Sequence, residues 1–171
     1  MYQAAGIEFY VLFKTLLPIV FLWTNCYQSW ICIWVMYYLL IESFCYISAL
    51  IFISDELVKP RSYRRSVLLL VVGYFQITLG FAVIYAGLHL LNSNAKTPFD
   101  YVYFSFVTSA TIGFGDTFPV ANFGKVLVCL QSLFFFVFVG VFISYFNSKV
   151  NPKDYYDVQK EREQLSRRRK K

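Results

Sequence analysis

Long apolar runs constrain this chain more than any other feature. They extend from about Ile7 to Trp23, Ser29 to Ser54, Val67 to Leu91 and Phe123 to Asn147. A helix rises about 1.5 Å per residue, so crossing roughly 30 Å of hydrocarbon takes about 20 residues. Hydrophobic residues make up 58% of the 171, above the roughly 45–50% of an ordinary soluble domain. The expectation is an all-α membrane protein with four transmembrane helices per subunit. It has a 1–58 helical hairpin, a 59–66 basic link, a 67–148 unit around the last two spans and a 149–171 basic tail.

Charge placement sets the expected orientation. The link reads Lys59-Pro60-Arg61-Ser62-Tyr63-Arg64-Arg65, and the tail ends Arg167-Arg168-Arg169-Lys170-Lys171. Lysine and arginine near span ends favour the cytoplasmic side. Both termini are therefore expected to be cytoplasmic in a multi-pass cell-membrane protein, with 24–28 and 92–122 outside. The net charge of +6 follows from these clusters, so membrane topology explains it better than nucleic-acid binding. Anionic lipids are the alternative partners for link and tail. No span carries the several arginines of a voltage sensor.

Lys14 and Glu42 fall inside apolar runs. A lone charge there costs at least about 2.5–3.5 kcal/mol. Folding the chain about residue 26 sets position 14 opposite about 38, with Glu42 one turn further. An ion pair is expected; the alternative is that each snorkels to an interface. The four cysteines form no C-x-x-C pair, and the one histidine cannot complete a zinc site with them. Only Cys26, in the turn, is expected to be an exposed thiol. The spans hold no acid–base or metal cluster, which argues against an enzyme.

The segment Asn92–Asn122 is too polar at its ends to be a plain span. With an apolar run on each side, it is expected to dip into the membrane and return. Thr97-Pro98-Phe99-Asp100 is a helix start: a capping threonine, proline at the first position and an acid three residues after the cap. A short helix over Phe99 to about Ala110 follows. A half-helix that stops midway is tolerated only where protein or a water-filled cavity covers its end.

Next comes Thr108-Ser109-Ala110-Thr111-Ile112-Gly113-Phe114-Gly115-Asp116. This stretch resembles the signature sequence of the potassium channel family, T-x-x-T-V/I-G-Y/F-G-D. Pro119, Gly124 and Lys125 fit that family's passage from filter to inner helix. The resemblance covers about residues 67–147, and the pore is similar to those of two-pore-domain and prokaryotic channels. It implies a potassium-selective channel in which carbonyl oxygens replace the ion's water shell. The ligands would be the main-chain carbonyls of Thr111, Ile112, Gly113 and Phe114, with Thr108, Gly115 and Asp116 supporting the filter and its outer mouth. Potassium would be the permeant ion, with no organic cofactor. One pore loop per chain supplies a quarter of a ring, so closure implies a homotetramer.

Two departures stand out. Phe114 replaces the commoner tyrosine, and Val107 stands where some relatives carry a glutamate that pairs with the signature aspartate. Asp116 must be braced differently. On the family's register, Ser132, Phe136, Val139, Ile143 and Asn147 face the pore. Phe136, Gly140, Ile143 and Phe146 are candidates for gate or hinge, while Gly140 serves equally for tight helix packing. Other readings are a weakly selective cation channel and a pore-loop potassium transporter. The intact TIGFGD and the single loop weigh against both.

Overall fold

The computed structural model describes residues 2–53 and 63–147, with side chains over 9–48 and 67–143. Most of the basic link, the tail, and the side chains of Phe146 and Asn147 lie outside these. Five α-helices follow in order: α1 (Tyr2–Trp23), α2 (Trp30–Ile53), α3 (Tyr63–Gly87), α4 (Pro98–Ser109) and α5 (Asn122–Asn147). Asn25, at φ 55°, and a 3-10 turn over Cys26–Gln28 reverse the chain between α1 and α2. Among the described residues, α2, α3 and α5 are long and apolar enough to cross a membrane. In α1 the described side chains give an apolar stretch over Phe9–Trp23.

The centre of the molecule is α3. From Phe81 to Ala86 every residue is at most 2% exposed. Helices α1, α2, α4 and α5 all pack against it. The N-terminal hairpin is splayed: α1 packs chiefly on α3 and only lightly on α2. The approach of α3 to the inter-helix turn and to α2 depends on Gly87. A Cβ there would lie 2.5 Å from the Tyr27 carbonyl and 2.9 Å from Ile33, distances at which something must shift.

The expected ion pair forms. Lys14 Nζ sits 2.9 Å from Glu42 Oε2, and the Tyr10 hydroxyl donates to the same carboxylate at 2.9 and 3.0 Å. Lys14 itself is buried. The two charges answer each other across the splay, so neither stands alone in apolar surroundings.

Two expectations are corrected. The third helix stops at Gly87 rather than Leu91, because His89 turns to φ 46° and the chain leaves the helix axis. Cys26 is not alone in being exposed: Cys45 and Cys129 are too, since α2 and α5 present these positions outward.

Candidate functional site: the loop between α3 and α5

The two feet of the loop are tied together. Leu91 and Pro119 form an antiparallel bridge. The Asn92 N–H donates to the Phe118 carbonyl at 3.0 Å, and the Val120 N–H to the Leu90 carbonyl at 2.9 Å. Where α5 begins, a Cβ on Gly124 would meet the Pro119 Cβ at 2.9 Å, so a side chain there would push the returning strand away. The segment is thus a closed loop whose ends meet.

Inside that loop, α4 starts where the sequence places it. The Asp100 carboxylate accepts the N–H groups of Lys96 and Thr97 at 2.8 and 2.7 Å and the Thr97 hydroxyl at 2.9 Å. These bonds, the one to the Thr97 backbone foremost, hold its pKa below the usual carboxylate value. A negative charge in the first turn also complements the helix dipole.

The inner face of α4 lies against α3 and α5 through a polar network. Gln131, on α5, donates from Nε2 to the Ser105 carbonyl, Ser105 Oγ and Ser109 Oγ at 2.9, 2.9 and 2.6 Å. Its Oε1 accepts the Tyr85 hydroxyl at 2.9 Å. Ser105 Oγ donates to the Thr78 carbonyl at 2.6 Å, and Thr78 Oγ1 to Ser109 Oγ at 3.2 Å. All five residues are nearly inaccessible. Buried polar groups that satisfy one another in this way fix a single arrangement. The Tyr85 ring also meets Phe104 edge-on at 5.1 Å. Nothing in the local pattern announces this network. The available signal is that a glutamine inside an apolar run needs partners.

The stretch after α4 has an alternating backbone. Thr111, Gly113 and Gly115 have φ of 56°, 59° and 80°, and Ile112 and Phe114 between them do not share the positive sign. The glycines fit this conformation without cost; positive φ at Thr111 is absent from the sequence reading, since a β-branched residue resists it. The turn is held by the Thr111 N–H on the Thr108 carbonyl and the Ile112 N–H on the Val107 carbonyl, both at 3.0 Å. Residues 110–116 are exposed on the single chain, Ile112 by 56% and Phe114 by 68%.

Asp116 is held through its main chain. Its carbonyl accepts Asn94 Nδ2 at 2.6 Å and Asn92 Nδ2 at 3.3 Å. The Tyr103 side chain of α4 lies near the Asp116 carboxylate. Tyr103, Asn92 and Asn94 are therefore site residues that the motif alone does not reveal.

Helix α5 backs the loop. A recess of about 290 Å³ lies between them, lined by Thr108, Thr111, Thr117, Val128 and Ser132. Phe136 and Ile143 are exposed; Ser132 and Val139 are half-buried. The rest of the phenylalanine run packs inward. Phe134 meets Phe44 at 4.8 Å and Phe81 at 5.6 Å, and Phe138 meets Tyr74 at 4.7 Å. Gly140 lies within an unbroken helix, exposed, with nothing near its Cβ position.

Residues 67–151 match the family model described as ion channel. That span runs from α3 through the whole of α5. No curated protein and no solved structure matches the chain. The match and the apolar helices together support an ion channel in a membrane.

Proposed function

We propose, from the match of residues 67–151 to the ion-channel family model, that the chain is one subunit of a homotetrameric, potassium-selective channel. The backbone of residues 111–115 is the observation that carries this reading. A regular strand points successive carbonyls to opposite sides. Alternating the sign of φ along a ribbon is a way to bring them to one side, and the sign alternates at Thr111, Gly113 and Gly115. Rings of such oxygens replace the water of a dehydrated potassium ion.

Two further features agree with it. The carbonyl end of α4 carries about −0.5 charge and abuts Thr111, where it favours a cation. Ile112, Phe114, Phe118, Leu133 and Phe136 expose apolar side chains on one chain; three further copies around a fourfold axis would cover such a face. In this arrangement α1 is a fourth span, Asp116 concentrates cations at the outer mouth, and Phe136, Gly140 and Ile143 line the path below the filter. The basic link and tail then face the cytoplasm.

The test is bilayer recording of the purified protein in opposed potassium and sodium solutions. The reversal potential is expected near the potassium equilibrium value, with barium block and loss of selectivity in Thr111→Cys. A reversal near zero would make the pore weakly selective and defeat the assignment. Absence of any barium-sensitive current would defeat it more thoroughly.

A further inference from the structure

The outer end of the loop is tied to the end of α3 by side chains as well as by main chain. The Leu91–Pro119 bridge sets Asn92 beside the returning strand, and the Ala95 N–H closes a turn on the Asn92 carbonyl at 3.1 Å. That turn carries two amides aimed at one atom. Asn94 Nδ2 donates to the Asp116 carbonyl at 2.6 Å, and Asn92 Nδ2 does so at 3.3 Å. A carbonyl oxygen has two lone pairs, so this one is fully engaged. The Asn92 amide keeps its aim although its Oδ1 is buried with no partner among the described residues, an arrangement that costs free energy. Only Gly115, at φ 80°, separates this anchored carbonyl from Phe114. Glycine has the greatest backbone freedom of any residue, so the stretch 111–114 needs a fixed point just beyond it.

On the reading of residues 111–115 as a filter, we propose that Asn94, assisted by Asn92, is a positioning residue for ion selectivity. Its amide pins the Asp116 carbonyl, ends the row of ion-facing carbonyls before that residue, and holds the outermost oxygens at their spacing. A carbonyl already held by two amides is not free to replace the water of an ion, and discrimination between potassium and sodium depends on the number and placement of the oxygens that are. Neither asparagine touches the ion. Both act through the Asp116 main chain, and they link the filter to the outer end of α3.

The test compares single-site variants of the full-length protein in bilayers, after native mass spectrometry has shown unchanged assembly. Asn94→Leu keeps the shape of the side chain and removes the donor; Asn94→Asp keeps the shape and, when ionised, only accepts. Each is expected to lower the potassium-to-sodium permeability ratio about tenfold, the factor that about 1.4 kcal/mol makes. Asn92→Leu, which loses the longer bond, should lower it less. Asn94→Gln retains a donor and should keep most of the ratio, and Ser93→Ala, in the same turn, should keep all of it. Hydrogen exchange at amides 115–118 in nanodiscs should quicken in Asn94→Leu, a readout that needs no current. An unselective unmodified protein would defeat the potassium reading itself, and this proposal with it. A selective one whose ratio or exchange is unchanged in Asn94→Leu overturns this proposal alone. So does an equal loss in Asn94→Gln or Ser93→Ala, which would make the turn fragile to any change.

Discussion

Thr111 holds a left-handed backbone at φ 56°, a conformation that costs a β-branched residue on the order of 1–3 kcal/mol. Something must hold it, and the buried amide of Gln131 is the nearest structural answer. It ties Ser105 and Ser109, the last residue of α4, to α5 and to Tyr85. Replacing Gln131 by leucine takes away the partner of the Tyr85 hydroxyl, at about 1–3 kcal/mol, while Ser105 and Ser109 keep their bonds to Thr78. Gln131→Leu is therefore expected to lower the melting temperature of the assembled protein and to weaken discrimination between potassium and sodium. Melting and reversal-potential measurements check both. Unchanged values would show that the network is only packing. The motif residues were legible in the sequence because glycine at 113 and 115 has a conformational meaning by itself. Thr111, Gln131 and Tyr103 were not, since each draws its role from partners distant along the chain.

At the scale of elements, helix existence was readable from hydropathy and the start of α4 from its cap. Helix pairing was not. Residues 24–28 suggest a simple hairpin, yet α1 prefers α3. That choice rests on side-chain fit between helix faces, which hydropathy does not encode. The charges were a better guide, because Lys14 and Glu42 had to find each other wherever the helices went. Breaking a buried pair from one side costs about 3–5 kcal/mol, while replacing both partners is often nearly neutral. Glu42 is about one-third exposed, 33% by side chain, so the lower figure applies. Lys14→Met alone and Glu42→Gln alone are expected to destabilise the assembled protein by about 3 kcal/mol each. The double variant should recover most of that in thermal unfolding. Additive losses would mean that the two charges act separately.

For the whole molecule, the proposed ring is what would complete the single chain. The loop backbone from Ala110 to Asp116 lies open, and Phe136, Ile143 and Leu133 of α5 are exposed beneath it. In a membrane the helices gain little from apolar contact alone, so assembly rests on fit and on satisfied polar groups. The proposed ring meets both needs at one axis. Native mass spectrometry from a mild detergent is expected to give four chains, and Phe114→Arg on the open face should reduce this to smaller species. A conducting monomer or dimer would contradict the ring. Nothing in the sequence beyond the single loop spoke to this number, because symmetry belongs to surfaces and not to local pattern.

The bridge between Leu91 and Pro119 has a mechanical consequence. Knotted at its base, the intervening stretch hangs like a stirrup from a single strap. When the outer ends of α3 and α5 are drawn apart, the strap bears the load before the suspended part feels it. Rocking of the surrounding helices would thus leave residues 92–118 unstretched, and their shape would be insulated from deformation of the frame.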